Sequence, residues 1–444
     1  MRRRPRGAHS APRPARSVRP VGLAGALFVV GLAVGLLGAT LAPPGSLSLS
    51  QLRTPGSPAD SAAAEVLTSG SRGATDQSGS ATDQASRRAA TAESCRPAPL
   101  RRRAAQVLVV GLPDTTGADD PLAREVVELG VGGVFLSEVN AVDARQVRAL
   151  AGGLQRRSAV PLLISTDEEL GRVSSFRDLL GPSSSARALA QRPTRSVRAR
   201  ARDLGDQLAD IGLTVDLAPV ADLDAGPWRG VIGDRSFSGD PVAAGEYATA
   251  FANGLVDAGV LPVAKHFPGH GRAPGDVHLK PSSVEVSLDE LMATDVQPFQ
   301  AMVHAGVPIV MLGHVAYDAL EPDRPASLSN ASYSLLRDLG FTGVAMTDAL
   351  GMGAVNGRWT YSEAAVMAVR AGADALLATD GRQARAMRNA IIEAVHAGRL
   401  DDARLNEAAA RMLTLKGVDP QAMTCLDAPP LPQMARRAGV AADS

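Results

Sequence analysis

Residues 260–271, VLPVAKHFPGHG, carry a short apolar run straight into a polar, glycine-rich loop. Seven other runs share the texture of its first half: Val107–Gly111, Val131–Leu136, Pro161–Thr166, Leu213–Leu217, Pro308–Gly313, Gly343–Thr347 and Ala373–Ala378. Amphipathic stretches of helical period separate them. Continuous apolar runs joined by helices are the pattern of parallel strands covered on both faces. An open doubly wound sheet would give the same alternation. The count of eight, and the lack of a GxGxxG after the first run, favour a single (β/α)8 TIM-type barrel of the α/β class.

A barrel places its chemistry just after its strand ends. Asp167 follows the third run and Asp222 the fourth; Lys265 and His266 close the fifth, His314 follows the sixth and Asp348 the seventh. That distribution points to an enzyme.

The densest signal is 265–278, where three of the seven histidines and one of only three lysines lie together. Histidines with an aspartate could ligate a metal. Alternatively, Asp276 and His278 form a dyad in which the carboxylate orients an imidazole for proton transfer. Lys265 beside His266 would repel a metal ion, so proton transfer is preferred. His266 and His270, taken singly, read as hydrogen-bonding groups. Asp348, in an apolar setting, could attack a carbon centre or cap a helix. The stretch 165–173, STDEELGRV, holds three acids and Arg172, and in isolation reads as a solvated charge run.

The formal charge of zero conceals an asymmetry. Seven arginines and no acid occupy residues 1–20, and an uncharged apolar run of 22 residues ends at Ala42. This pattern predicts a secretory signal or an uncleaved membrane anchor over 1–42. Without that segment, 39 basic residues face 46 acidic ones, so the body should not seek nucleic acid. Residues 43–103 read as a flexible linker rich in Ser, Ala, Thr, Gly and Pro. The barrel domain is expected over 104–418, with a tail over 419–444. Two cysteines exclude a four-cysteine zinc module.

These pieces together resemble glycoside hydrolase family 3, in its bacterial β-N-acetylglucosaminidase branch. KHFPGHG (265–271) is the most specific element. GVGGVFL (130–136), LAPVADL (217–223), GDRSFSGDP (233–241), PASLS (325–329) and GFTGVAMTDALGMGAV (340–355) agree in order. The resemblance implies a retaining exo-β-N-acetylglucosaminidase acting on peptidoglycan fragments. Asp348 matches the family nucleophile, His278 the acid/base and Asp276 its partner. Asp167, Arg235, Lys265 and His266 match positions that bind the terminal sugar. No metal or other cofactor is implied, and the expected protein is an exported or membrane-anchored monomer. Few residues follow Leu415, which favours this branch over relatives with a second α/β domain.

Leu170 replaces the first glycine of the family's DxEGGRV, Ser175 stands where a further arginine is common, and the dyad reads Asp-Val-His. The Leu170 and Ser175 departures keep open a non-catalytic wall-sugar binding protein. A histidine acid/base also keeps open transfer of the sugar to phosphate. Cys95 and Cys425 flank the barrel, whose closure would bring them together, so a disulfide between them is expected.

Overall fold

The computed structural model describes residues 95–224, 226 and 230–440. The expected signal or anchor segment and most of the expected linker lie outside the described residues. Among the described residues, no helix is long and apolar enough to cross a membrane.

All eight apolar runs become parallel strands: β1 Leu108–Gly111, β2 Gly133–Phe135, β3 Leu163–Thr166, β4 Val215–Asp216, β5 Leu261–Phe267, β6 Ile309–Leu312, β7 Val344–Thr347 and β8 Leu376–Ala378. From β2 to β7 each strand pairs with its predecessor, and β8 pairs with β1, as in the register Leu108 with Leu376. A parallel bridge between Met346 and Ala375 draws β7 towards β8 and nearly closes the barrel. The period of two along a strand divides the side chains. Val109, Leu163, Val263, Met311 and Met346 fill the interior, while Val110, Ile164, Ala264 and Val310 face the surrounding helices.

The expected boundaries need two corrections. Packing begins before residue 104: helix α1, Leu100–Gln106, sends Arg103 to Asp402 and Asn406, both at 2.6 Å. The expected tail is also packed structure. Leu431 and Ala435 join the interior cluster, and the Met434 N–H donates to the Gly306 carbonyl at 3.0 Å. Their apolar side chains cover the end of the barrel opposite the strand C-termini. Cys95 and Cys425 form the expected disulfide, joining residues 330 apart in sequence.

Beyond β5 the chain runs through a glycine-rich loop to a small sheet of Ser282–Val284, Val315–Tyr317 and Glu321–Pro325. A Cβ on Gly271 would lie 1.6 Å from the Leu223 carbonyl oxygen, so only glycine allows the loop to pass there. The Gly353 and Ala354 N–H groups then donate to the carbonyls of His278 and Val277, at 2.9 and 3.0 Å. The loop is thereby tied to the segment following β7.

Candidate active site

A cleft of about 500 Å3 opens at the C-terminal ends of the strands. Asp167, Arg235, Lys265, His266, Asp276, His278 and Asp348 all line it. They come from the end of β5 and from the segments after β3, β4, β5 and β7, so the barrel gathers what the sequence scatters over 182 positions. A larger groove of about 800 Å3 lies on the outer helical face, and none of these residues lines it.

One wall is built on a buried carboxylate. Glu169 binds Arg235 through both oxygens, at 2.6 and 2.8 Å, and approaches Lys265 Nζ at 2.6 Å. Lys265 also reaches Asp167 at 2.5 Å. Burial opposes the charge on each member, but mutual attraction outweighs it: Glu169 is held well below the carboxylate range, and Lys265 above the ordinary lysine range. Both cations therefore stay charged in a nearly dry site. The stretch 165–173 is thus no solvated run; Glu168 and Glu169 are only 2% and 4% exposed. Glu168 accepts the Phe176 N–H, and Arg172 pairs with Asp234 at 2.8 Å.

Beside that wall, Asp222 organises the loop. Its Oδ2 lies 2.7 Å from His266 Nδ1, while Oδ1 accepts the backbone N–H groups of His266 and His270 at 3.1 and 2.7 Å. Burial raises this carboxyl, and the two histidines and their N–H groups more than offset it, leaving it below its ordinary value. His266 Nδ1–H therefore points to Asp222, and Nε2 faces Arg235 at 3.5 Å. His270 lies edge-on to His266, with ring centroids 5.4 Å apart. Neither of its ring nitrogens has a protein partner.

Across the cleft, His278 Nδ1 lies 2.7 Å from Asp276 Oδ1, which also accepts the His278 backbone N–H at 2.9 Å. That N–H, followed by the imidazole, pulls the Asp276 carboxyl below its ordinary value. Nδ1 is engaged, so Nε2 is the nitrogen free to exchange a proton with a bound molecule. Both side chains are about half exposed, as expected for a loop at the mouth.

Asp348 sits at the cleft floor, 5% exposed, with Oδ1 accepting the Ala349 N–H at 2.7 Å. Burial raises its carboxyl, but His314, His266, the Ala349 N–H and Lys265 together hold it below the usual carboxylate value. It does not cap a helix: the next one begins at Gly353, behind Met352.

Of the departures, Leu170 and Ser175 fall outside the cleft lining, while Val277 of the dyad belongs to it. Leu170 is 2% exposed and packs into the core with φ of 70°, a left-handed conformation natural to the glycine it replaces. Ser175 donates its N–H to the Asp167 carbonyl at 3.0 Å. The sequence marks Asp222 only by its place after the fourth run and Glu169 only as part of a charge run; their partners, His266 and His270 for the first and Arg235 and Lys265 for the second, come from distant segments. Among the described residues, no group of three His, Cys, Asp or Glu side chains is placed to hold a metal ion.

The sequence pattern of the glycosyl hydrolase family 3 N-terminal domain matches residues 100–415. The chain is 40% identical over 332 residues to the β-hexosaminidase LpqI of Mycobacterium tuberculosis, covering 72% of this chain and 83% of that protein. It resembles the crystal structure of a family 3 glycosyl hydrolase from Mycobacterium smegmatis, with a TM-score of 0.67 and 38% identity over 71% of this chain and 96% of the other. A family 3 β-N-acetylglucosaminidase from Paenibacillus gives a TM-score of 0.69 and 31% identity over 77% and 63%.

Proposed function

This chain belongs to glycosyl hydrolase family 3, and from that premise we propose that Asp348 is the nucleophile and His278 the acid/base of a retaining exo-β-N-acetylglucosaminidase. The protein is a glycoside hydrolase of the β-N-acetylhexosaminidase type, hydrolysing terminal β-linked N-acetylglucosamine. The carrying observation is the division of labour in the cleft: an ionised, buried Asp348 on the floor and a solvent-reachable Asp276–His278 dyad at the mouth.

Retaining hydrolysis needs a nucleophile and a group that first gives and then takes a proton. Asp348 Oδ1 is occupied by the Ala349 N–H, so Oδ2 attacks the anomeric carbon. His278 gives its Nε2 proton to the departing glycosidic oxygen. The neutral imidazole then draws a proton from water, which attacks the anomeric carbon, breaks the bond to Asp348 and releases the sugar with retained configuration. Asp276 keeps Nδ1–H engaged and so directs Nε2 towards the substrate. Asp167, Arg235, Lys265 and His266 hold the hydroxyls of the terminal sugar, with both cations fixed by Glu169.

Cell-wall fragments are the proposed natural substrate. The Cys95–Cys425 disulfide suits an oxidising compartment outside the cytoplasm, and residues 1–42 would direct a monomeric protein there.

The test is turnover of a chromogenic β-N-acetylglucosaminide by the protein and by Asp348→Ala and His278→Ala. Turnover lost in the first variant and strongly reduced in the second is the expected result. Sugar binding without turnover in the parent would favour a wall-sugar binding protein. Sugar 1-phosphate formed in phosphate buffer would favour a phosphorylase.

A further inference from the structure

The PASLS segment, residues 325–329, lines no part of the cleft, yet it reaches the nucleophile through two intermediaries, His314 and Ala349. Ser327 Oγ lies 2.7 Å from His314 Nδ1, and His314 Nε2 lies 2.9 Å from the Ala349 carbonyl oxygen. A carbonyl only accepts, so Nε2 carries the proton and Nδ1 accepts from the Ser327 hydroxyl. Both side chains are buried, at 0% and 1% exposure. Ser327 is itself fixed: its N–H donates to the Gly313 carbonyl at 2.9 Å, and its own carbonyl accepts the Tyr333 hydroxyl at 2.9 Å.

We propose that Ser327 and His314 are positioning residues for Asp348, holding residue 349 by its carbonyl so that the N–H of the same residue stays on Asp348 Oδ1. The proposal rests on the reading of Asp348 as nucleophile. Neither residue touches the sugar. Two contacts set the carboxylate: the Asp348 N–H donates to the Leu312 carbonyl at 2.9 Å, and Oδ1 accepts from Ala349 at 2.7 Å. If the Ala349 carbonyl is released, the second contact loosens and Oδ2 loses its aim. Burial holds His314 below the ordinary histidine range, and both of its ring nitrogens are taken by Ser327 and the Ala349 carbonyl, so it acts on Asp348 through residue 349. The charged or titratable groups around Asp348 are His314, His266, His270 and Lys265.

The experiment compares Ser327→Ala, His314→Gln and His314→Leu in the full chain, with Asp348→Ala as control, on an aryl β-N-acetylglucosaminide. A misaimed nucleophile should cut kcat on the order of 10- to 100-fold in Ser327→Ala and His314→Leu, with KM changed less than about 2-fold. His314→Gln keeps an N–H for the Ala349 carbonyl and should recover much of the loss. Unchanged kcat in Ser327→Ala and His314→Leu, with Asp348→Ala inactive, would overturn the positioning roles alone. Equal losses in His314→Gln and His314→Leu, matched by equal falls in melting temperature, would overturn them as well. Full turnover by Asp348→Ala would remove the nucleophile assignment and this proposal with it.

Discussion

Glu169 grips Arg235 through both carboxylate oxygens, at 2.6 and 2.8 Å, in a pocket that leaves the acid side chain 2% exposed. The same carboxylate lies 2.6 Å from Lys265, so one acid sets two of the cations that line the cleft. Removing one charge from a buried pair strands the other, at about 3–5 kcal/mol. Glu169→Gln should therefore lower the melting temperature and raise KM about tenfold or more, with a smaller effect on kcat. Lys265 keeps Asp167 as a partner, so the fold should survive. Unchanged KM in a folded variant of lowered stability would assign Glu169 to the scaffold only.

Asp276 and His278 make a separate prediction, because the role proposed for them concerns the leaving group. Replacing Asp276 with Asn keeps the size but removes the carboxylate that accepts from Nδ1–H and fixes the imidazole's tautomer. General acid catalysis contributes about 100- to 10,000-fold in total, and its loss weighs most on a poor leaving group. Asp276→Asn should slow a disaccharide substrate by at least about tenfold more than a nitrophenyl glycoside. Equal losses on the two substrates would count against a proton-donating dyad.

The barrel was legible because each strand is buried on both faces and so reads as an unbroken apolar run; all eight runs appear as strands. The strand-end rule brought Asp167, Lys265, His266 and Asp348 into view, and the resemblance supplied the roles of Asp276, His278 and Arg235. All seven line one cleft. Burial of short polar stretches was not legible. Glu168 and Glu169 look solvated because sequence shows their charge but not Arg235, 66 positions away from Glu169, which neutralises it. The C-terminal segment misled for a related reason. Pro429, Pro430 and Pro432 suggest a loose tail, while the apolar residues that seat it, Leu431, Met434 and Ala435, are too few to show a period.

The disulfide gives a prediction about stability rather than chemistry. Cys95 and Cys425 tie the start of the packed chain to the segment after the last long helix, Asp402–Leu415, away from the strand C-termini that carry the cleft. Closing so long a loop restricts the unfolded chain, and loss of such a bond typically costs about 2–5 kcal/mol. The double variant Cys95→Ser, Cys425→Ser should melt several degrees lower and keep the parent's kcat and KM below its melting range. A reducing agent should reproduce that shift in the parent and produce none in the variant.

His270 should make the protein sensitive to mild acid. Burial, with the neighbouring His266, pushes its imidazole down from 6.5 to about 4. Between those values the unfolded chain takes up a proton that the folded one refuses. Stability therefore falls as pH drops from 6.5 towards 4, and this contribution levels off below 4. The full effect is on the order of 3 kcal/mol for a side chain as buried as this one. His314, also lowered by burial, adds a term of the same sign. Asp222 and Asp348 act in a lower window, since both carboxyls lie below 3.8 and lose their stabilising charge only as pH falls further. Urea unfolding of the parent and of His270→Leu at pH 7 and pH 4.5 separates these contributions. The variant should lose less stability between the two conditions than the parent. Parallel losses in the two proteins would show that His270 takes up its proton as readily in the folded state as in the unfolded one.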